Sequence, residues 1–344
     1  MSHTPATLRK RDGQLPAAQR KRRGKTAGGG VPSALMTLLV RDFRAADAKA
    51  VAELQRAALP FMVFTPQGIA WQAADALPEE HLRMFVAELD GRIVGSVSSR
   101  LLCESSTPGQ GAATPKVHPD HRRRGAGTAL LTAAEEHLTA VGATHLFTWA
   151  VDEPGPLAFA ERRGYRRTRS AHCLRLDLTT ADLPPLPSPL PPGVRLLTAA
   201  DFGADPHPLF AADAEAIADE PGDVPTDALT YDNWLRTIWE RPDIDLDLTS
   251  VVTVGDTVAA YSLAATDNLG RYSSVGTGTR PAFRGRGLAR LAKAHSLRRA
   301  RDAGCTVAFT GNDATNAPML AINHSFGYRP FLGEWRCVRE LGRG

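Results

Sequence analysis

At 344 residues, 43% apolar and 23% charged, the chain has the make-up of a globular protein of two domains, which excludes a disordered or fibrous chain. Charged residues interrupt every apolar stretch before the roughly 20 residues needed to cross a bilayer, which excludes a membrane-spanning helix. The net charge of +4 comes from residues 1–25, which hold eight Lys or Arg and one acid. The other 33 basic and 36 acidic residues exclude a basic nucleic-acid-binding face on the folded part.

Residues 1–35 combine Arg and Lys clusters with Gly, Pro and Ala and show no apolar period, which predicts a disordered arm. Two interpretations are open: a tether to nucleic acid or a membrane surface, and a solvated extension without function. Because Met36 directly precedes the first strand-like run, the sequence favours the second interpretation. No apolar segment follows the basic residues, so an export signal is not predicted.

The cysteines are far apart in the sequence and have neither a CxxC spacing nor any spacing typical of zinc ligands. We therefore predict reduced thiols, a cytoplasmic protein and no metal site. The four residues are Cys103, Cys173, Cys305 and Cys337.

Residues 179–193 contain six prolines, which favour extended polyproline structure over helix or sheet. This stretch predicts a linker between an N-terminal domain, residues 36–178, and a C-terminal domain, residues 194–344. The same order of elements recurs on both sides of the linker, which indicates a duplication.

Each half begins with a short strand and an Ala-rich helical stretch, followed by a hairpin around Asp90-Gly91 or Gly255-Asp256. A further strand, a segment rich in Arg and Gly, a long amphipathic helix and a buried strand come next. The long helices are predicted at Thr128–Val141 and Arg290–Ala303, and each half ends with a short helix and a Gly-Tyr pair. This order predicts an α/β fold of two tandem domains, each with a mixed, mostly antiparallel sheet flanked by helices and parallel only in its later strands.

Small residues mark the point where a strand turns into the long helix: Gly125 and Gly127 in the first half, Gly287 and Ala289 in the second. They let the backbone approach a ligand, and N–H groups at a helix N-terminus bind phosphate because they lack acceptors in the helix. Neighbouring arginines add cationic partners. The sequence thus predicts a polyanionic nucleotide ligand. Neither a P-loop nor a dinucleotide-binding GxGxxG pattern is present, which excludes ATP hydrolysis and NAD binding.

The two segments are VHPDHRRRGAG, residues 117–127, and TRPAFRGRGLA, residues 279–289. Each contains Arg, two residues, Gly, one residue, and Gly or Ala, and so resembles the signature of the GNAT superfamily of acyl-CoA-dependent N-acyltransferases. The resemblance covers about residues 36–178 and 194–340. It implies acetyl-CoA, or another acyl-CoA, as co-substrate, no metal, and direct attack of an amine on the thioester in a ternary complex.

In that family the loop holds the CoA pyrophosphate, and the strand before it pairs with the pantetheine amides. That strand corresponds to Lys116–Pro119 and Gly278–Pro281, beside which the next parallel strand must splay away. Asn316 matches a family asparagine that contacts CoA. The resemblance therefore implies a co-substrate site formed by Val117, Arg122, Arg123, Arg124, Gly125, Ala126, Gly127 and Thr128, and a second one formed by Thr279, Arg284, Gly285, Arg286, Gly287, Leu288, Ala289, Arg290 and Asn316.

Acylation of an amine needs a base for the ammonium, donors for the thioester oxyanion and an acid for the leaving thiolate. Family members often supply the acid from a Tyr four residues before the closing Gly, but that position is Ala160 or Asn323 here. Asn323 is a candidate donor to the sulfur, with a structural role as the alternative. Glu104 and Asp267 follow equivalent strands and are candidate bases, with solvated hairpin ends as the alternative.

Residues 213–223 form an acidic run where the family shapes its acceptor site, which suggests recruitment of a cationic amine or, alternatively, a solvated face. The second half is slightly favoured as the catalytic one, because its GNDATN segment with Asn316 fits the family better.

The resemblance implies an N-acetyltransferase that acts on an amine of a small molecule or peptide, in a two-domain arrangement similar to that of mycothiol-type synthases. A monomer or homodimer is expected, with no membrane partner and with nucleic acid bound only through the basic arm. Three alternatives are open: a non-catalytic acyl-CoA sensor, suggested by the missing tyrosines; an acyltransferase of a macromolecule recruited by the arm; and an acyl-CoA decarboxylase on the same fold.

Overall fold

The computed structural model describes residues 37–341, which belong to one compact unit. The predicted basic arm lies outside the described residues. The first half contains β1 (Leu38–Asp42), α1 (Ala48–Ala58), α2 (Pro66–Ala74), β2 (Arg83–Leu89), β3 (Arg92–Leu101), β4 (Gln110–Ala113), β5 (Lys116–Val117), α3 (Ala126–Ala140), β6 (His145–Val151), α4 (Pro154–Glu161) and β7 (Arg166–Asp177). The second half contains β8 (Val194–Thr198), α5 (His207–Ile217), α6 (Tyr231–Trp234), β9 (Ser250–Val254), β10 (Thr257–Thr266), β11 (Arg271–Thr279), α7 (Leu288–Asp302), β12 (Val307–Asp313), α8 (Ala317–Ser325) and β13 (Arg329–Glu340).

The long helices α3 and α7 pack on the sheet because their apolar residues recur at helical spacing. In α3 the buried residues Leu130, Ala134 and Leu138 are four positions apart, which places them on one face. They form one core with buried residues of β2, β3 and β6. Both predicted helices are confirmed, although each begins two residues earlier than the sequence indicates.

The predicted α/β class and mostly antiparallel sheet are confirmed, but the two halves share one continuous sheet. Its strand order is β1-β2-β3-β4-β6-β13-β7-β12-β11-β10-β9-β8, with β5 paired to β3. Only β4 with β6 and β11 with β12 run parallel. The antiparallel hairpins that open each half therefore precede its single parallel pair, as predicted.

The final strands of the two halves are exchanged. β13, from the end of the chain, lies between β6 and β7, and β7 lies between β13 and β12. Each half thus completes its sheet with the last strand of the other half. The domain boundaries at 36–178 and 194–344 remain predictions, and the exchange shows that residues on both sides of the linker contribute to each half's sheet.

The parallel strands of each half separate after a few pairs. β4 pairs with β6 only through residues 110–112, before the chain turns to β5. β11 pairs with β12 only through Arg271–Ser274, although β11 continues to Thr279. Both halves therefore have a divergence between neighbouring strands just ahead of the glycine-rich loop.

The proline-rich stretch, residues 179–193, contains neither helix nor strand and runs along α7. The Arg298 guanidinium donates to the carbonyl oxygens of Leu183 and Pro184, and the Leu183 side chain is buried. These contacts hold the stretch against the second half.

Candidate functional site

The first glycine-rich loop joins β5 to α3. A short 3-10 turn at Pro119–His121 precedes Gly125, which caps α3 in a left-handed backbone conformation with φ 92°. That conformation strains most residues with a Cβ, asparagine less than others, which explains the glycine. The N–H groups in the first turn of α3 have no acceptor within the helix and lie at the positive end of its dipole. This loop therefore has the geometry of an anion site.

A cavity of about 700 Å³ opens beside this loop, between the diverging segments 114–117 and 148–151, with Phe159 and Ala160 of α4 on its wall. Pockets of this size are typical of small-molecule sites. Arg124 is exposed and does not belong to its lining. The other predicted residues of the first co-substrate site all line the cavity: Val117, Arg122, Arg123, Gly125, Ala126, Gly127 and Thr128.

Packing inside the protein does not require the glycine at position 127. A Cβ there would lie 3.6 Å from the Val117 side chain and 3.8 Å from the Phe159 ring, which are ordinary contact distances. It would, however, project towards the cavity wall formed by these two side chains. The residue thus leaves space on the ligand side of the helix start, as a close approach of phosphate requires.

Lys116 from β5 and Glu334 from β13 line the cavity away from the loop, where Glu153, Arg162 and Arg163 also line it. Burial lowers the pKa of Lys116 to about 8. Burial also raises the pKa of Glu334, and both the Cys173 thiol, which donates to its carboxylate at 3.5 Å, and the charge of Lys116 oppose that rise. The sequence places the backbone of Lys116 at the co-substrate site but predicts no role for its side chain. It does not predict Glu334, which reaches this half only through the strand exchange.

The second loop repeats the backbone of the first, with Gly287 capping α7 at φ 72°. Two arginines of this segment form ion pairs with carboxylates of the acidic run. Arg284 pairs with Asp219 at 2.8 Å, and Arg280 pairs with Glu215. The second loop is therefore held to the acidic run by ion pairs that an anionic ligand would have to displace.

The remaining predicted residues of the second loop surround this start of α7. The Arg286 and Arg290 guanidinium groups lie over the rings of Phe283 and Phe326. The lining of the 700 Å³ cavity includes none of the residues at these positions, which are Thr279, Gly285, Arg286, Leu288, Ala289 and Arg290.

A hydrogen-bonded polar cluster occupies the second half where the first half has open space. The Lys293 ammonium donates to the Asn323 side-chain oxygen, and the Asn323 amide donates to Asn312 at 2.6 Å. Lys293 and Asn323 are fully buried, and burial lowers the pKa of Lys293 to about 7. When the loops and buried strands of the halves are aligned, the equivalent residues of the first half are Leu131, Ala160 and Ala150, all of which line the cavity.

The two candidate catalytic carboxylates, Asp267 and Glu104, make structural contacts. Asp267 accepts hydrogen bonds from the backbone N–H groups of Leu269 and Arg271 and pairs with the Arg271 guanidinium at 3.3 Å. It closes the turn before β11, at the end of that strand remote from the loop. Glu104 pairs with Arg100 at 3.0 Å. Neither carboxylate lines the 700 Å³ cavity, and the Asp267 side chain is buried and not solvated.

Asn316 and the acidic run also have structural partners. The Asn316 side chain caps α8 by accepting from the N–H of Met319 at 3.2 Å. Asp213 is buried and accepts from the indole of Trp234 at 2.7 Å and from the hydroxyl of Tyr261. Contact of Asn316 with CoA and recruitment of an amine by the run remain predictions without a supporting contact.

A second cavity, of about 410 Å³, adjoins the first, and Thr114 and Lys116 line both. Its walls come from both halves of the chain. The indole N–H of Trp71 on α2 joins the two walls by donating to the carbonyl oxygen of Arg236 at 3.2 Å. Glu80 lines it and pairs with Arg100 at 2.8 Å. The second half supplies Arg236, Thr237, Arg241 and Asp243.

Residues 37–341 contain neither a disulfide nor a cluster of metal-ligating side chains. All four cysteines lie in this part of the chain and are free thiols. Within it, no group of three or more His, Cys, Asp or Glu residues is arranged to hold a metal ion. None of the helices described there is long and apolar enough to cross a membrane.

Comparison with known proteins identifies both the fold and the chemistry of relatives. Residues 48–165 match the model of the acetyltransferase (GNAT) family. A mycothiol acetyltransferase of Nocardiopsis dassonvillei is 30% identical over 274 residues, which are 73% of this chain and 80% of that protein. A mycothiol acetyltransferase of a Parafrankia species is 40% identical over 109 residues, 30% of this chain and 33% of the relative. Shorter matches of this kind span between 30% and 57% of the relatives' own lengths.

A solved structure of a tandem GNAT protein from the clavulanic acid biosynthesis pathway has the same fold. It superposes with a TM-score of 0.66 at 21% identity, and the match covers 90% of this chain and 100% of that one. At this level of identity the likeness concerns the fold alone.

Proposed function

The chain belongs to the GNAT family of acetyltransferases, and on that premise we propose that it transfers an acyl group, acetyl by default, from acyl-CoA to an amine. The observation that carries this proposal is the 700 Å³ cavity, which combines an anion-binding helix start with a divergence between two parallel strands. A long ligand with a phosphate group and an amide-containing arm fits both features at once.

The first-half residues suit each part of acyl-CoA. The N–H groups of Gly125–Thr128 would hold the pyrophosphate, and the exposed Arg122 and Arg123 would neutralise its charge. The free edge of Lys116–Val117 would pair with the pantetheine amides. Bound in this way, the co-substrate supplies an activated thioester carbonyl near the diverging strands.

We place the chemistry in the first half, whereas the sequence slightly favours the second. Two ion pairs and one buried polar cluster in the second half support this choice. Arg284 and Arg280 of the second loop are already paired with carboxylates. The cluster around Lys293 fills the space that corresponds to the first cavity. The second half then acts as a scaffold that supplies β13 and part of the second cavity.

The second cavity is the proposed acceptor site, because it meets the donor cavity at Thr114 and Lys116. Its lining combines amide, hydroxyl and paired charged groups with the Trp71 ring and is formed by both halves. Such a lining favours a small polar amine over a protein segment. The name of the relatives points the same way, so an amine related to mycothiol is the first acceptor to test.

The experiment that tests the function uses the full chain with acetyl-CoA and a panel of amines: a mycothiol precursor, amino sugars, polyamines, amino acids and short peptides. Release of CoA together with an acceptor heavier by one acetyl group would support the proposal. Binding of acetyl-CoA without any product across the panel would support an acyl-CoA sensor instead. Release of carbon dioxide from malonyl-CoA would point to a decarboxylase.

Replacement of Trp71 by Ala tests the acceptor site. The ring lines the second cavity and its indole N–H holds the two walls together. We expect the acceptor KM to rise about tenfold, which is about 1.4 kcal/mol, with the Kd for acetyl-CoA unchanged. Trp71→Phe is the control, since it keeps an aromatic side chain, although a smaller one, and loses the hydrogen bond to Arg236. An unchanged acceptor KM in Trp71→Ala would exclude this cavity as the acceptor site.

The cellular location, the oligomeric state and any contact with nucleic acid remain proposals. A cytoplasmic location follows from the predicted reduced thiols. A monomer or homodimer is expected, and any contact with nucleic acid would come from the basic arm alone. A chain starting at Met36 that keeps full activity would show that the arm is dispensable for catalysis.

A further inference from the structure

The last strand of the chain places a carboxylate in the active site of the other half. β13 pairs with β6, with Glu334 opposite Val151, and Glu334 lines the donor cavity. The cavity wall is therefore built from residues separated by about half of the chain. The sequence offers Glu104 as the base for the acceptor ammonium in this half, but Glu104 does not line the donor cavity.

Glu334 lies close to the boundary between the two cavities. Lys116, which lines both of them, acts on the Glu334 carboxylate through its charge. The thiol of Cys173 on β7 donates to the same carboxylate. Other ionisable groups on neighbouring elements are Asp152, next to Gly333, and His172, which pairs with Gly333 on β7. The donor cavity is also lined by Glu153, Arg162 and Arg163. Lys116 therefore lies where the two cavities meet, and Glu334 lies on the donor side of that junction.

Among the described residues, the second half has no equivalent of the pair formed by Lys116 and Glu334 at the first-half cavity. Strand pairing makes Ala171, opposite Asp313 on β12, the equivalent of Glu334 in the second half. Loop alignment makes Gly278 the equivalent of Lys116. The half with the open cavity therefore has both ionisable groups, and the half with the filled space has neither.

The environment of Glu334 shifts the pKa of its carboxyl group in the direction that a general base requires. Burial raises the pKa of its carboxyl group towards the pH at which a general base is most effective, while Lys116 keeps the ionised form accessible. Lys116 itself has a pKa lowered by burial to about 8.

We propose that Glu334 is the general base of the first-half active site, which rests on the proposed acyl transfer there. One N–H bond of the acceptor ammonium breaks and its proton goes to the Glu334 carboxylate. The free amine forms the C–N bond to the thioester carbonyl carbon, and the C–S bond breaks as the tetrahedral intermediate collapses. The second proton of the nitrogen passes to the leaving thiolate, which needs no tyrosine at position 160, and Glu334 returns its proton to solvent.

Replacement of Glu334 by Gln tests this role, with Glu340→Gln as the matched control. Glu340 lies on the same strand, is exposed and makes only a long ion pair to Arg166 at 3.8 Å. We expect Glu334→Gln to lower kcat by about 10²- to 10⁴-fold and to remove the acid limb of the pH profile of kcat/KM. The Kd for acetyl-CoA should stay within about twofold of the wild type, and Glu340→Gln should match the wild type throughout.

A wild-type kcat and acid limb in Glu334→Gln would overturn the assignment. If that variant does not fold, Glu334→Asp decides: an acid limb displaced from that of the wild type supports the role, and an unmoved limb with unchanged kcat overturns it. Failure of the proposed function has a different signature, because wild-type protein would then show no acyl transfer to any amine.

Discussion

Gly125→Glu is expected to abolish acyl transfer, whereas the same substitution at Gly287 leaves most of it. Both glycines cap a long helix in the left-handed conformation, with φ of 92° and 72°. The backbone strain of the two substitutions is therefore similar. Only the first introduces a carboxylate into the proposed pyrophosphate site, where like charges cost several kcal/mol. We expect the acetyl-CoA affinity of Gly125→Glu to fall by at least about 10²-fold.

Gly125→Asn is the control for backbone effects, because asparagine tolerates the left-handed region and carries no charge. It should retain measurable transfer and bind acetyl-CoA more tightly than Gly125→Glu. Steady-state kinetics of the four proteins and their thermal unfolding provide the comparison. Loss of activity in Gly287→Glu with retention in Gly125→Glu would place the chemistry in the second half, as the sequence slightly favours.

Lys293→Met is expected to change the pH dependence of stability by several kcal/mol. Burial lowers the pKa of Lys293 from 10.5 to about 7 in the folded protein, whereas the unfolded chain keeps the ordinary value. Between these two values the unfolded state binds the extra proton. The wild type should therefore lose stability as the pH falls from about 10 to 7, by up to about 5 kcal/mol, and change little further below pH 7 through this group.

The variant lacks this titration, so its free energy of unfolding should fall less over the same range. Met leaves the Asn323 oxygen without one donor, which lowers stability by about 1–3 kcal/mol at every pH and does not affect the slope. Lys49→Met, which removes an exposed lysine, is the control and should keep the wild-type slope. Denaturant titrations from pH 6 to 10 measure the difference. Parallel curves for wild type and Lys293→Met would show that Lys293 keeps its ordinary pKa.

Local patterns in the sequence predict the repeated elements and the loops. The helices α3 and α7 follow from apolar residues at helical spacing, and the hairpins from turn residues between alternating runs. The loop before each long helix also follows, although each helix begins two residues earlier than the sequence indicates, directly after the left-handed Gly125 or Gly287. These features depend on residues within about 15 positions of each other, which is the range over which patterns in one sequence are informative.

The contacts that decide the site are long-range, and local patterns do not report them. Glu334 reaches the first cavity only because β13 crosses to the other half, and no motif marks such an exchange. The difference between the halves depends on whether Lys293 and Asn323 or Leu131 and Ala160 face the space beneath the loop. Equivalent positions are visible once the two loops are aligned. Whether these positions leave a filled space or an open one can be read only from the three-dimensional packing.

Calorimetric titration of acetyl-CoA into the full-length protein and its two loop variants tests the central claim most directly. A single site per chain, present in the wild type and Gly287→Glu and lost in Gly125→Glu, is the result expected for an acyltransferase whose first half binds the donor. A site lost only in Gly287→Glu, or no binding of acetyl-CoA by the wild type, would contradict it.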